Sequence, residues 1–306
     1  MKTPNIVMVG SSMVDLIAYV PKLPAPGETL AGSDFNVGCG GKGANQAVMA
    51  ARLGAQVHVV TVLGDDVFGP QTKQNFADQG CDTTHVHIAK GIASGVAPIS
   101  VDTTTGQNSI VIVPGANELL DEAKVRAAGD EIAAADAVIC QLETPIAATV
   151  EAFKLARAAG TTTILNPAPA APIGDDLLAL VDIFIPNETE AAELTGMPVD
   201  TNDQAVAAAR ALQQRGPVTV ILTLGSRGAL VLEGDAEPAF VEAKKVEAVD
   251  TTGAGDAFVG SFSYYHAAGH SAPEAARHAC HVATLSVLGH GTQTSFPTRD
   301  DVDAAR

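Results

Sequence analysis

A stretch late in the sequence combines glycines with a carboxylate in a way that suits a phosphate site. It reads Ala248-Val-Asp-Thr-Thr-Gly-Ala-Gly-Asp-Ala-Phe258. The spacing of apolar residues from Ala254 onward predicts a helix that begins at this turn. A helix start offers unpaired N–H groups and a partial positive charge, and Gly253 and Gly255 let a bulky anion approach the backbone closely. Asp256 then lies in the first turn, where it is either a reacting carboxylate or an acid that only stabilises the helix end.

A second glycine-rich stretch, Gly38-Cys-Gly-Gly-Lys-Gly-Ala-Asn-Gln46, supports a competing interpretation. Its glycines satisfy the dinucleotide pattern G-x-G-x-x-G, a helical pattern follows, and Asp65 lies at a suitable distance onward. That pattern would indicate a dinucleotide-binding oxidoreductase. The fingerprint should end the first core strand, however, and the first predicted strand ends at Gly10. The oxidoreductase is therefore a distant alternative.

Two further carboxylates are candidates for binding the hydroxyl groups of a sugar. Asp15 and Glu143 each follow a predicted core strand, and open α/β sheets bind ligands at the carboxyl ends of their strands. Ionised carboxylates accept strong hydrogen bonds from vicinal hydroxyl groups. Each residue could instead cap a helix or a turn.

The elements that must position these residues alternate between short apolar strands and helical runs. This alternation is typical of a mostly parallel sheet with helices on both faces. The predicted core strands are Ile6 to Gly10, Val57 to Val62, Ala137 to Gln141, Thr162 to Leu165, Ile183 to Ile185, Val218 to Thr223 and Ala229 to Leu232, with the end of a further strand at Val246 to Val249. The predicted helices are Gly43 to Leu53, Phe68 to Gln79, Pro145 to Ala159, Thr189 to Leu194, Asp203 to Arg215 and Pro273 to Leu288.

The composition indicates a globular metabolic enzyme and excludes other classes. The 306 residues are 46% hydrophobic and 17% charged, which is enough to bury one large α/β core or two smaller ones. The net charge of -17 argues against binding nucleic acid or an acidic membrane surface. The four cysteines lack C-x-x-C spacing, which favours a reducing cytosol over a disulfide framework. No apolar window reaches the about 18 residues of a membrane span, so we expect a cytoplasmic protein.

The stretch Asp250-Thr-Thr-Gly-Ala-Gly-Asp-Ala-Phe258 resembles the C-terminal signature of the ribokinase-like sugar kinases, and further matches extend from Val9 to Pro297. The resemblance implies one ribokinase-like α/β kinase domain over residues 1–306. Insertions at about 13–40 and 94–113, which follow one another without helices, would form small antiparallel hairpins. In that family such hairpins build a β lid over the sugar, and two lids pair into a homodimer.

The resemblance also implies an activity, which is ATP-dependent phosphorylation of a sugar with the 5-hydroxyl of D-ribose as the expected acceptor. Kinases for another pentose, a hexose or a nucleoside are the alternatives within the family. A catalytically silent sugar-binding protein is the alternative outside it. Such a protein would be expected to lose Asp256 or a neighbouring glycine, and this sequence keeps them. The expected partners are a small sugar and ATP, with neither nucleic acid nor membrane.

By the same resemblance, Asp256 is the general base, and Gly253, Ala254 and Gly255 form an anion hole for the phosphoryl group. The sugar would be bound by residues of both glycine-rich motifs, by the two carboxylates and by one residue close to the first of them. The set is Met13, Asp15, Gly41, Lys42, Gly43, Asn45, Glu143 and Asp256. One position departs from the pattern, because bacterial members often carry Asn where this chain has Met13.

The nucleotide side is assigned in the same way. The expected ATP-binding residues are Asn187, Thr223, Gly225, Ser226, Gly228, Gly255 and Cys280. Asn187 and Glu190 match an Asn-x-x-Glu motif that orients the phosphates and hydrated Mg2+, although alone they would be a helix N-cap and a first-turn acid. Residues 223–228 alone would be an ordinary hairpin turn. Cys280 stands where the family commonly has His or Asn.

A monovalent cation, K+ in preference to Na+, is the last expectation from the resemblance. The run Ser286-Val-Leu-Gly-His-Gly-Thr-Gln-Thr-Ser295 is similar to one of the family's cation loops, and residues 250–252 to the other. Hard oxygen atoms suit an alkali cation. The proposed ligands are Asp250, Thr252, Ser286, Gly289, Gly291 and Ser295. A plain turn is the alternative.

Overall fold

A computed structural model describes residues 2–305, which form two β-sheets and the helices around them. The strands, in chain order, are β1 (Asn5–Val9), β2 (Met13–Val20), β3 (Asp34–Gly40), β4 (Gln56–Gly64), β5 (Val86–Ala89), β6 (Gly95–Asp102), β7 (Asn108–Ile110), β8 (Ala137–Cys140), β9 (Thr162–Leu165), β10 (Ile183–Phe184), β11 (Thr219–Thr223), β12 (Ala229–Glu233) and β13 (Ala239–Val241).

The α-helices pack on both faces of the larger sheet. They are α1 (Lys42–Arg52), α2 (Phe68–Asp78), α3 (Glu122–Ala127), α4 (Gly129–Ala134), α5 (Ile146–Ala159), α6 (Asp175–Leu178), α7 (Glu188–Thr195), α8 (Asn202–Gln213), α9 (Ala254–Ala267), α10 (Ala272–Ser286) and α11 (Arg299–Ala304). Short 3-10 turns occupy Gly115–Leu119 and Gly225–Arg227.

The larger sheet has nine strands in the order β13-β12-β11-β10-β9-β8-β1-β4-β5. Every pairing from β11 to β5 is parallel, and β12 and β13 add an antiparallel edge. The mostly parallel sheet predicted from the sequence is thereby confirmed. The chain leaves β1 toward β4 on one side and continues through β8 and β9 on the other. The carboxyl ends of β1 and β8 therefore flank a topological switch point, where open α/β sheets bind ligands.

Side chains of β1 show why this strand is central. Ile6 and Met8 enter one apolar core with α1, α9 and α10, whereas Val7 and Val9 enter the core on the opposite face. All four are fully buried. A parallel strand covered on both faces is apolar throughout. This explains why β1 is a continuous run of apolar residues rather than an alternation of apolar and polar ones.

The smaller sheet has the strand order β3-β2-β6-β7. The two predicted hairpins are present as antiparallel pairs, β2 with β3 and β6 with β7. They are joined by a parallel pairing of β2 with β6, which local sequence patterns do not encode. The chain enters the smaller sheet from the main body at two neighbouring points. One is Ser12, which precedes β2, and the other is Gly95, which begins β6.

Some expectations about local structure were wrong. Residues 246–249 form no strand, because β13 is already the sheet edge and this segment runs along the surface, where Val249 donates its N–H to Val287 O at 2.8 Å. Strand β13 and helices α3, α4, α6 and α11 were not predicted; each has six residues or fewer. Among the described residues, no helix is both long and apolar enough to cross a membrane.

Candidate active site

The N-terminal end of α9 presents backbone N–H groups beside a buried carboxylate. Gly253 is the N-cap residue and adopts φ of 78°, a left-handed conformation that favours glycine. Ala254 donates its N–H to Thr251 O at 3.2 Å within the turn. Helix geometry leaves the N–H groups of Gly255 and Asp256 without an acceptor inside α9. Asp256 is only 8% exposed, so its carboxylate lies inside the protein rather than at a solvated helix end.

Two amide side chains of α1 hold the carboxylate of Asp256. Asn45 donates from Nδ2 to Oδ2 at 2.9 Å, and Gln46 donates from Nε2 to Oδ1 at 3.0 Å. The close approach of α9 to α1 depends on Gly260, because a Cβ atom there would lie 2.5 Å from the backbone oxygen of Gln46. Gly260 lies one turn after Asp256, so the same face of α9 carries both the contact and the carboxylate.

The predicted sugar residues come together at the switch point. Glu143 follows β8, and its Oε2 accepts from Ser11 Oγ at 2.6 Å and from the Lys42 N–H at 2.9 Å. The backbone of the second glycine motif lies beside the turn after β1, since Gly43 donates its N–H to Ser11 Oγ at 3.2 Å and Gly41 is the N-cap residue of α1.

Asp15 lies on β2, the strand that starts the smaller sheet. Thr292 donates from Oγ1 to its Oδ2 at 3.4 Å. Burial raises the pKa of Asp15 to about 6, and the nearby Glu143 and Asp256 add to this effect, while Thr292 opposes it. The predicted sugar residue Met13 is two positions earlier on the same strand and shares this face. It is buried, at 3% exposure.

The electrostatics of the site combine buried acids with one lysine. Burial raises the pKa of Glu143, and the charge of Lys42 partly offsets that rise. Burial acts to lower the pKa of Lys42, but Asp256, Glu143 and Glu190 outweigh it and keep the pKa above its ordinary value. Lys42 is therefore a permanent cation among carboxylates.

A cavity of about 210 Å³ extends from Asp256 toward the nucleotide residues. Its lining joins four separate predicted segments and is made by Lys42, Asn166, Ala168, Ile185, Asn187, Glu190, Thr223, Gly253, Gly255, Asp256 and Val259. The polar lining and the helix end suit a polyanion such as a triphosphate.

Asn187 and Glu190 also have the structural role that the sequence left open. Asn187 Oδ1 accepts from the Glu190 N–H, and Glu190 Oε2 accepts from the Asn187 N–H, both at 2.8 Å, which forms a capping box at the start of α7. Burial raises the pKa of Glu190 to about 7, although Asn187 and Lys42 lower it. A buried acid of this kind gains from a nearby cation.

The predicted nucleotide loop is a hairpin between β11 and β12. Gly228 has φ of 96°, and a Cβ atom there would lie 1.9 Å from Val241 O, so only glycine fits. Gly225 and Ser226 form the 3-10 turn at the tip. Of the predicted nucleotide-binding residues in this loop, Thr223 lines the cavity, whereas Gly225, Ser226 and Gly228 lie outside it.

Cys280 also lies outside the cavity, on α10. It is buried, and burial raises the pKa of its thiol to about 12. The thiol is therefore uncharged at neutral pH and can contribute only apolar surface or a weak hydrogen bond. All four cysteines of the chain are free.

The two predicted cation loops are in contact. Asp250 accepts from Thr252 Oγ1 at 2.6 Å and from the Gly291 N–H at 2.9 Å. Ser295 donates from Oγ to Gly291 O at 2.9 Å. Burial acts to raise the pKa of Asp250, but the hydrogen bonds from Thr252 and Gly291 outweigh it. The net shift in the pKa is downward and favours the carboxylate.

The other predicted cation ligands on these loops include Gly289, Gly291 and Ser286. Gly291 has φ of 83°, and Gly289 does not adopt a positive φ. Ser286 is buried at the end of α10, where its hydroxyl donates to Ala283 O at 2.9 Å. In residues 2–305, no cluster of three or more His, Cys, Asp or Glu is arranged to hold a metal ion.

Sequence reasoning missed the amides that surround the predicted residues. Gln46, Gln141 and Gln293 are buried and belong to one hydrogen-bonded network around Asn45 and Asp256. Gln46 was visible as the last residue of the quoted glycine motif. Asn166 follows β9 directly and could have been found by the rule about carboxyl ends of strands that identified Glu143.

The chain is similar over nearly its whole length to several known proteins. The family model of the pfkB family carbohydrate kinases matches residues 3–299. A deoxyribokinase of Salmonella typhi is 43% identical over 295 residues, covering 96% of either chain. A ribokinase of Haemophilus influenzae is 41% identical over 297 residues, covering 97% of this chain and 96% of the relative. A solved structure of Arabidopsis thaliana ribokinase complexed with ribose and ATP has a TM-score of 0.93 at 33% identity, covering 99% of this chain and 98% of that one.

Proposed function

The chain belongs to the pfkB family of carbohydrate kinases, and we propose that it transfers the γ-phosphoryl group of ATP to the 5-hydroxyl of D-ribose, giving D-ribose 5-phosphate and ADP. The observation that carries this proposal is the position of Asp256. Its carboxylate lies at the helix end that opens into the polar cavity, and the same carboxylate is bonded to Asn45 of the sugar motif. The relatives named as ribokinases support ribose as the acceptor.

The reaction follows from this arrangement. Asp15 and Glu143 accept hydrogen bonds from the ring hydroxyls, and Asn45 and the backbone of Gly41 and Gly43 complete the sugar site. The 5-hydroxyl then faces Asp256, which accepts its proton as the oxygen attacks the γ-phosphorus. The bond between that phosphorus and the bridging oxygen of ADP breaks in the same displacement.

Charge on the transferring group is stabilised by the protein. The anion hole is formed by the turn of Gly253, Ala254 and Gly255, with the N–H groups of Gly255 and Asp256 at the helix end supplying the donors. Lys42 lines the cavity and keeps a raised pKa, so its ammonium group adds a positive charge where phosphate oxygens would lie. Lys42 thus serves the phosphoryl group through its side chain and Glu143 through its N–H.

The nucleotide residues divide into two groups. Asn187 and Thr223 line the cavity and would face the phosphates, while the loop of Gly225, Ser226 and Gly228 would border the nucleoside together with Cys280 on α10. Glu190 would hold hydrated Mg2+, and its pKa of about 7 fits this role because a cation favours the ionised acid. When bound, the ion neutralises phosphate oxygens.

We propose that a monovalent cation, K+, binds between the loops at residues 250–252 and 286–295. Asp250 would supply the carboxylate, and carbonyl or hydroxyl oxygens of Thr252, Ser286, Gly289, Gly291 and Ser295 would complete the set. The contact between the loops and the lowered pKa of Asp250 support this. The ion would steady the turn that carries the anion hole.

We propose further that two copies pair through the smaller sheet, which acts as a lid over the sugar. Phe35 and Val37 on β3, and Ile110 and Val111 at β7, are exposed apolar residues on its edge strands. Exposed apolar strands at a sheet edge favour pairing with another chain.

The free cysteines and the catalysed reaction support a cytoplasmic location.

A specific observation favours 2-deoxy-D-ribose as a second candidate acceptor. Met13 lies on the same face of β2 as Asp15, so a buried thioether lies beside the sugar carboxylate. A thioether is a poor partner for a hydroxyl group and a good neighbour for a CH₂ group. The Salmonella typhi relative at 43% identity is named a deoxyribokinase.

One experiment tests both candidates. ADP production is followed by a coupled assay with D-ribose, 2-deoxy-D-ribose, D-fructose and adenosine, each over a full concentration range. We expect kcat/KM to be highest for ribose or, if Met13 dominates, for 2-deoxyribose. Faster turnover of fructose or adenosine with both pentoses inert would reject the proposed acceptor class.

A further inference from the structure

The buried amide of Gln46 is bonded on all sides, and one of its partners is the proposed base. Gln46 is fully buried on α1. Its Nε2 donates to Asp256 Oδ1 and to Asn166 Oδ1, both at 3.0 Å. Its Oε1 accepts from Gln141 Nε2 at 2.7 Å. Both N–H groups of the amide are therefore used, and the oxygen has a donor.

These partners allow only one orientation of the amide. Asn166 donates from Nδ2 to the backbone oxygen of Ile185 at 2.8 Å, so its Oδ1 must be the atom that faces Gln46. A flipped Gln46 would set its oxygen against two further oxygens, one of them on the Asp256 carboxylate, and its NH₂ group against that of Gln141. Buried polar atoms left without partners in this way lose their hydrogen bonds and cannot regain them from water, so the flipped orientation is disfavoured. The side-chain carbonyl of Asn166 and the carboxylate of Asp256 cannot donate, so they fix the direction of the hydrogen bonds through Gln46.

The two oxygens of Asp256 have different neighbours. Oδ2 is bonded to Asn45, a residue of the proposed sugar site, whereas Oδ1 is bonded to Gln46, which is fully buried. In the proposed complex, Asn45 must use some of its hydrogen-bonding groups to bind the sugar. Gln46 faces no substrate, so its bond can persist when the sugar and ATP are bound.

We infer that Gln46 is a positioning residue that anchors Asp256 through Oδ1 and leaves Oδ2 as the oxygen that accepts the proton of the sugar hydroxyl. Gln141 and Asn166 fix the direction in which the Gln46 amide points. This inference rests on the proposed role of Asp256 as the base. Proton transfer requires alignment of the accepting oxygen, so loss of the anchor should slow the chemical step more than it weakens sugar binding.

Replacement of Gln46 tests the anchor in two ways. Gln46→Met keeps the volume and removes both donors, and we expect kcat to fall about 10- to 100-fold while KM for the sugar changes by less than about threefold. Gln46→Glu is isosteric and sets a second carboxyl group against Oδ1. Two adjacent carboxylates share a proton, so the acid limb of the pH profile of kcat should move upward by about one pH unit or more.

Two further variants separate positioning from stability. Gln141→Met removes the donor that orients Gln46 without touching Asp256, and we expect a loss in kcat of about three- to tenfold. Gln204→Met is the matched control. Gln204 closes the capping box of α8 away from the site, so its loss lowers stability and leaves kcat and the pH profile unchanged. Melting curves and ATP binding verify folding, and if Gln46→Met does not fold, Gln46→Glu and Gln141→Met decide the matter.

The outcomes distinguish this inference from the proposed function. The inference is overturned if Gln46→Met keeps kcat within threefold of the parent, or if Gln46→Glu leaves the pH profile unshifted. In either case, an inactive Asp256→Asn variant would still support Asp256 as the base. An Asp256→Asn variant with normal turnover overturns both. The kcat loss with nearly constant KM, together with the shifted profile, supports the anchor.

Discussion

Asn45 and Asp256 are joined by a hydrogen bond of 2.9 Å although they lie 211 positions apart in the sequence. The bond links α1, which begins at the proposed sugar motif, to α9, which begins at the proposed anion hole. A sugar that bonds to Asn45 must therefore alter the surroundings of the proposed base. We therefore expect binding of the acceptor and preparation of the proposed base to be coupled through this contact.

Asp256→Asn is expected to lower kcat by about 10²- to 10⁴-fold, because the amide cannot accept the hydroxyl proton. Sugar binding should be retained, since Asp15 and Glu143 are unchanged. Steady-state kinetics and calorimetric titration with the sugar measure the two effects. Asp203→Asn, an exposed acid in the first turn of α8, is the control and should be silent. Near-normal turnover of a folded Asp256→Asn protein would mean that the carboxylate only stabilises the helix end.

The pKa of about 6 for Asp15 predicts an acid limb in the pH profile. Only the ionised group accepts strong hydrogen bonds, so kcat/KM for the sugar at saturating Mg-ATP should fall as pH decreases through about 6. Asp15→Asn should remove this limb and lower kcat/KM at pH 8 by about 10- to 100-fold. An acid limb that is unchanged in Asp15→Asn would assign the titration to another group.

The same shift has a consequence for stability. The pKa of Asp15 is raised on folding, so the folded chain holds a proton there that the unfolded chain releases between about pH 4 and pH 6. The contribution of this group to the free energy of unfolding therefore decreases as pH rises through that window. Asp15→Asn should raise the melting temperature at pH 7.5, and the difference should shrink as the pH is lowered. A variant that is less stable at pH 7.5 would contradict this.

Met13→Asn should shift acceptor preference toward ribose. An amide can bond to a 2-hydroxyl group that the thioether leaves unpaired, and such a bond is worth about 1 kcal/mol or more. We expect the ratio of kcat/KM for ribose over 2-deoxyribose to rise by about tenfold. Met13→Leu, which stays apolar, is the control and should keep the parent ratio. An unchanged ratio in Met13→Asn would remove this residue from specificity.

Replacing K+ by tetramethylammonium at constant ionic strength should lower the initial rate several-fold, with kcat affected at least as much as KM. Na+ should restore the rate less well than K+. Asp250→Asn should abolish the response, whereas Asp235→Asn, in the turn between β12 and β13, should keep it. A flat response in the parent enzyme would eliminate the proposed cation site.

Phe35→Lys should weaken pairing through the smaller sheet, because it sets a charge into the proposed apolar contact. Sedimentation velocity over a range of protein concentrations should show a dimer for the parent and a monomer for the variant. Phe240→Lys is the matched control, since Phe240 is an exposed aromatic on β13 and lies outside that sheet. A monomeric parent at every concentration would refute the proposed dimer.

The sequence predicted the α/β class and most core elements because their signals are local. Apolar runs such as β1 and helix starts such as Gly253 need no knowledge of distant residues. The pairing of β2 with β6 could not be predicted in this way, since it joins two hairpins whose strands lie about 80 residues apart. Short helices such as α3 were missed, because six residues make fewer than two helical turns and show no repeated apolar spacing.

The candidate site shows the same limit. Asp15, Asn45 and Glu143 were found because motif or strand position marks them individually. The support of Asp256 by Gln46 was not found, because a buried glutamine has no local signal of its own and acquires its role only through partners elsewhere in the chain. Gln293, which donates to Asn45 Oδ1 at 3.1 Å and accepts from Asn75, is a further example.

The order of these contacts along the chain bears on synthesis by the ribosome. Of these residues, the amides at positions 45 and 46 are made first, the carboxylate that they hold is made some 210 residues later, and Gln293, which donates to Asn45, is made last. A nascent chain that stops before Gln293 has the sugar motif and the central strands but an incomplete set of contacts around Asp256. Phosphoryl transfer should therefore begin only after Gln293 has been added, and chains that stop before it should not consume ATP.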